Sequence, residues 1–291
     1  MELGVYGYKD EKGKEDSKEE ALRYGDKRRL IDNKHPLMIA TAYSDDVLDR
    51  TKEGTPGLQG YNTVQGRWNA IPDDLKPYNV MMLHTNNMRQ FSPDHIAQAY
   101  LQEYYERGLQ DGYECGASIM LMCIGASSVH GGADWYITGC IDYGWLDLMY
   151  RMYPNMQGIF NSENGWSGHK NKVAAAASEM LEIADRFGGF FVWSELHNVF
   201  GYEPNTIKTM LEKHGDSFFI TYKNTEVGGH DLEDMSVYQG AWLADYIGGW
   251  GMLSDTWSWD RGTASCGRAA TAIVIGRSCV ESRNPCWASR C

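Results

Sequence analysis

Residues 154–166 read PNMQGIFNSENGW. Met156 to Glu163 has the length and apolar content of a buried strand, and it ends in Asn161, Ser162, Glu163 and Asn164, with Trp166 close behind. A strand leaving a core and ending in a carboxylate between two amides places a chargeable group at the core's edge. The residues on either side decide what that edge is. Upstream, DYGWLDLMYRMYP (142–154) reads as a helix ended by Pro154, since proline cannot continue one. Downstream, HKNKVAAAASEMLEIADRFG (169–188) is Ala-rich, helical in period and closed by Gly188.

The same alternation extends in both directions. Strand-like runs are expected at Leu37–Tyr43, Tyr78–His84, Ser118–Gly125, Phe190–Leu196, Phe218–Asn224 and Trp250–Trp257. Helices are expected at 92–110, with Ser92 as N-cap and Pro93 at N1, and at 204–215, with Gly215 closing it. A further helix-like stretch covers 235–248, and residues 44–66 read as a Gly-rich polar loop. Strands alternating with helices imply a parallel sheet. An open doubly wound sheet, as in an enzyme of phosphorylated metabolites, lacks support because no GxGxxG or phosphate loop follows any strand. Seven successive units with polar strand ends fit an α/β fold of the (β/α)8 TIM-barrel type, incomplete by its eighth unit. The expected organisation is a polar lead-in over 1–30, a barrel over 31–260 and an aberrant tail over 261–291.

Composition excludes several classes. The net charge is −12 over 291 residues, which argues against nucleic acid as partner. No apolar run approaches the ~20 residues of a membrane span. The opening residues lack the apolar core of a signal peptide. Cys115, Cys123 and Cys140 stand in apolar context and read as buried thiols; the other four cysteines crowd into the last 26 residues without metal-ligand spacing. No metal or other cofactor is expected.

In a parallel barrel the chemistry sits at the C-terminal strand ends. In order these are His84, the loop carrying His130, Asn161 with Glu163, Glu195 with His197, Lys223 with Asn224, and Asp255. Each has a structural alternative. Glu163 alone would be a solvated carboxylate, Asp255 a helix cap, Glu195 and Lys223 an ion pair, and the histidines hydrogen-bonded supports. Together, carboxylates across a mouth that also gathers Trp166, Trp193, Trp250 and Trp257 suit glycosidic-bond hydrolysis. One acid protonates the leaving oxygen while a second carboxylate activates water or attacks the anomeric carbon. Asn161 and Asn164 can orient Glu163, and Trp166 can raise its pKa by lowering the local dielectric.

The ordered set RRLIDNKHPLMIA (28–40), IPDDLKPYNVMMLH (71–84), YPNMQGIFNSENGW (153–166), RFGGFFVWSE (186–195), FFITYKNT (218–225) and WGMLSDTWSW (250–259) resembles the catalytic module of glycoside hydrolase family 98. The resemblance runs from about Arg28 to Trp259. It implies a (β/α)8 barrel and inverting, endo-acting hydrolysis of β-linkages in blood-group A and B glycans or decorated xylans. It places the general acid on Glu163 and part of the base machinery on Asp255. It also implies a secreted or cell-surface protein fused to carbohydrate-binding modules. The family's partner glutamate at the end of strand eight has no counterpart here. The text after Asp260, RGTASCGRAATAIVIGRSCVESRNPCWASRC, reads as a reading-frame shift. Strands one and seven are then expected to keep open edges, and a catalytically inactive, carbohydrate-binding relative is the alternative function.

Overall fold

The computed structural model describes residues 27–43, 64–84, 98–124, 142–162, 170–195, 198–224, 231–254 and 272–276. Seven strands run parallel in sequence order: β1 (Leu37–Tyr43), β2 (Asn79–His84), β3 (Ile119–Ile124), β4 (Met156–Ser162), β5 (Phe190–Glu195), β6 (Phe218–Asn224) and β7 (Gly249–Ser254). Helices alternate with them: α1 (Val64–Ala70), α2 (Gln98–Cys115), α3 (Tyr143–Met152), α4 (Lys170–Arg186), α5 (Pro204–His214) and α6 (Asp231–Leu243). Among the described residues no helix is long and apolar enough to cross a membrane.

The continuous apolar runs seen in the sequence follow from burial on both sheet faces. Along β1 to β6 alternate side chains enter two different cores. Ile39, Val80, Met82, Met120, Phe160 and Val192 fill the barrel interior. Met81, Leu121, Ile159, Phe191 and Ile220 face outward against the helices. Gly158 keeps the interior closed: a Cβ there would stand 2.5 Å from the ring of Phe190 on the next strand.

Three helices depart from their expected bounds, and α6 does so at both ends, running Asp231–Leu243 rather than 235–248. The loop expected through Gly66 gives way at Val64 to α1, because Val64 and Trp68 lie one turn apart and both bury. Helix α2 continues to Cys115 and stops where Gly116 takes φ +75°, a conformation glycine adopts without penalty. Cys115 is a half-buried free thiol rather than a fully buried one.

The seven parallel strands alternating with helices are those expected of an incomplete (β/α)8 barrel; the correction concerns its two edges. An eighth strand, β8 (Ala272–Gly276), lies between β7 and β1 and completes a closed barrel, so neither edge is open. It runs antiparallel to both neighbours. An eighth βα unit would deliver a parallel strand, which needs a crossover; an antiparallel neighbour needs only a return on the same face. The stretch AIVIG is rich in β-branched residues, enough to occupy the slot, and it carries no titratable side chain.

The last residues of the lead-in close the opposite end. Arg28 donates from Nε to the carbonyl of Phe187 at 2.9 Å and from Nη1 to those of Tyr153 and Met156 at 2.9 and 2.8 Å. Arg29 reaches the carbonyl of Asn79 and Ser118 Oγ, both at 2.9 Å, and burial lowers its pKa to about 10. Lys27 bonds Asp185 and Ser217. Ile31 then enters the interior core.

Candidate active site at the strand ends

Parallel register brings the C-terminal strand ends to one face. Tyr43 pairs with His84, Ile124 with Asn161, Ser162 with Ser194, Glu195 with Tyr222, and Asn224 with Ser254. This mouth therefore gathers the backbone positions of His84, Asn161, Glu195, Lys223 and Asn224. Glu163 follows Ser162, the last residue of β4, and Asp255 follows Ser254, the last residue of β7. Glu163, Asp255, His130, Trp166, His197 and Trp257 lie outside the described residues.

Strands β4 and β7 stand three places apart around the ring. Three strand spacings of ~4.8 Å measure ~14 Å along the sheet. Curvature shortens that chord.

The supports of the mouth are polar and fully withdrawn from solvent. Asn161, Ser194, Glu195 and Thr221 are all 0% exposed. Burial of a carboxylate such as Glu195 is tolerated only where it is paired. Alternation along β5 assigns Val192 to the interior and Trp193 to the helix side. The Trp193 indole packs edge-on against Phe191, Tyr202 and Phe218, with centroids 6.3, 5.7 and 6.4 Å away. It is a core residue and has no exposed surface to offer a sugar. Trp250, in register with Ile220, is half-buried against the same outer core. Among the described residues no group of three or more His, Cys, Asp or Glu side chains is placed to hold a metal ion.

The sequence reading missed Ser194 and Thr221, two buried hydroxyls in register on β5 and β6. The signal was present: in FFVWSE and FFITYKN the hydroxyl residue follows Val192 and Phe219 by two places, on the interior face.

Comparison with known proteins agrees with this architecture. The family model described as Glycosyl hydrolase family 98 matches residues 25–268, so β8 lies beyond the matched segment. A curated relative, the blood-group-substance endo-1,4-beta-galactosidase of Clostridium perfringens, is 33% identical over 253 residues. That alignment covers 80% of this chain and 30% of the relative, so the chain spans under a third of that protein's length. The catalytic module of a family 98 glycoside hydrolase from Streptococcus pneumoniae, solved with the LewisY pentasaccharide blood group antigen, superposes with a TM-score of 0.63 at 24% identity. It is matched over 80% of this chain and 40% of that one, and the likeness shows a shared fold. With a family match spanning most of its length, the chain belongs to glycosyl hydrolase family 98.

Proposed function

We propose that this module is an inverting endo-β-glycosidase acting on internal β-linkages of a complex glycan, of blood-group A/B type or a decorated xylan. The reading is supported by the placement of β4 and β7, whose last residues, Ser162 and Ser254, lie on one face of the barrel and precede Glu163 and Asp255 in the sequence. Glu163 donates its proton to the glycosidic oxygen as the bond to the anomeric carbon breaks. Asp255, as part of the base machinery, accepts a proton from a water that attacks that carbon from the opposite side. The water's oxygen becomes the new anomeric hydroxyl with inverted configuration, and the carboxyls exchange protons with solvent to reset. A separation of ~6.5–9.5 Å admits the water, against ~5–5.5 Å in a retaining pair.

Around this pair, His84, His130, Asn161, Trp166, Glu195, His197, Lys223, Asn224 and Trp257 position or contact the sugar; Trp250, near the start of β7, stands at the far end of the strand from it. The 33% identity to an enzyme named for blood-group substance supports the galactosyl side of the substrate class. The relative's greater length supports fusion to further modules, including carbohydrate-binding ones. Glycans of this size are met outside cells, which supports a secreted or cell-surface protein.

The test is Glu163→Gln in a chain continued after Asp260 in the alternative reading frame, so that an eighth βα unit follows. The amide keeps the carboxyl's shape and loses its proton. Hydrolysis of an unactivated glycan is lost while oligosaccharide binding persists; near-wild-type hydrolysis removes Glu163 from the mechanism.

A second reading, glycan binding without cleavage, is favoured by one feature: AIVIG occupies the eighth position and offers Asp255 no carboxylate partner. On that reading the 291-residue chain binds glycan and does not cut it, whereas the continued chain does both.

A further inference from the structure

The barrel interior changes character one row below the mouth. Phe160, Val192 and Phe219 stand in register across β4, β5 and β6 and form an apolar floor. In the next row toward the mouth, Ser162, Ser194, Thr221 and Gly251 stand in register across β4 to β7. Residues of this row are small, and the glycine next to Thr221 leaves that side of the row without a side chain.

Ser194 and Thr221 are both 0% exposed. Among the described residues neither Ser194 Oγ nor Thr221 Oγ1 has a hydrogen-bond partner. Buried hydroxyls in folded proteins are almost always satisfied, by protein or by ordered water. The strand backbone around them is committed to the ladder, so the partner must come from the interior. Neighbouring strands lie ~4.7–4.9 Å apart, and one water making hydrogen bonds of ~2.8 Å reaches both hydroxyls. Interiors commonly hold such waters where two or more polar groups converge.

We infer that the Ser194 and Thr221 hydroxyls jointly bind one buried water molecule beneath the mouth, joining β5 to β6 directly under Glu195 and Tyr222. This water braces the strand ends from which Glu195 and Lys223 project. It is independent of whether the chain cleaves a glycan, so its test does not use activity.

The test is a thermal-denaturation cycle on the full chain with Ser194→Ala, Thr221→Val and the double variant, and with Thr221→Ser as the conservative control. Each single removal strands the water and the remaining hydroxyl, and lowers Tm by ~2–4 °C. The double variant discards the water with both hydroxyls, so its loss is smaller than the sum of the singles. Thr221→Ser stays near wild type. A raised or unchanged Tm for Thr221→Val, or strict additivity, overturns the inference. A high-resolution crystal structure of the wild-type chain supplies a second reading. A water within hydrogen-bond distance of both oxygens supports the site, and both hydroxyls bonded only to protein groups overturns it.

Discussion

Val274 of β8 pairs with Leu37 of β1 in antiparallel register, closing a barrel whose other strands are all parallel. The same residue pairs with Gly251 of β7, so one five-residue strand covers both edges that would otherwise be exposed. Unpaired parallel edges invite pairing between chains. Val274→Pro removes an amide from a strand bonded on both sides, where proline is not accommodated. The expected cost is on the order of 2–3 kcal/mol, with Tm falling by ~4–12 °C and soluble aggregates visible in light scattering. An unchanged Tm would mean that β8 contributes nothing to closure.

Arg28 holds the other end. Its guanidinium serves carbonyls from the C-terminus of α3, the start of β4 and the turn after α4. The planar fork is suited to several acceptors at once, and lysine's point charge is not. Arg28→Met is expected to cost ~3–5 kcal/mol, because the carbonyls are left without a donor. Arg28→Lys recovers only a minor part of this. Chemical denaturation of both variants reads the difference directly.

Acid stability depends on Asp185. Burial works to raise its pKa, but hydrogen bonds from Ser217 and His214 and the charge of Lys27 outweigh that and hold it below the usual carboxylate range. In the unfolded chain the carboxyl returns to about 3.9. The unfolded state therefore binds more protons as pH falls past that value, and folding loses stability there. Above it the contribution is present in full. Asp185→Asn should lower stability at pH 7 by ~1–3 kcal/mol and flatten the loss that wild type shows below about pH 4. Parallel acid titrations of stability for the two proteins check this; identical slopes would exclude Asp185 as the linked group.

Most of the barrel was legible because its signal is local. Strands β1 and β6 begin and end where the sequence placed them, at Leu37–Tyr43 and Phe218–Asn224, since continuous apolar runs bounded by polar residues have one economical reading. What was not legible was tertiary. Antiparallel β8 answers to the slot left between β7 and β1, and AIVIG alone does not carry that information. The role of Trp193 depended on which face of β5 it occupies, and a strand buried on both faces hides that alternation. For the site, the strand ends were readable as positions, while the hydroxyl row of Ser194 and Thr221 emerged only with the register between strands.

Trp193 provides a direct contrast between core and sugar platform. Its ring fills the space between β5, β6 and the turn carrying Tyr202. Trp193→Ala should cost ~3–5 kcal/mol through the cavity it leaves, while KM for glycan in the surviving folded fraction stays within about twofold of wild type. A large rise in KM without loss of stability would return this indole to the substrate site.

The measurement that tests the central claim most directly is time-resolved proton NMR of the anomeric region during hydrolysis of a β-linked blood-group A/B glycan. It is made with the chain continued after Asp260 through an eighth βα unit. An oligosaccharide, not a single sugar, is expected to be released, with its new reducing end forming first as the α-anomer. Release of monosaccharide, or a β-anomer appearing first, would contradict it.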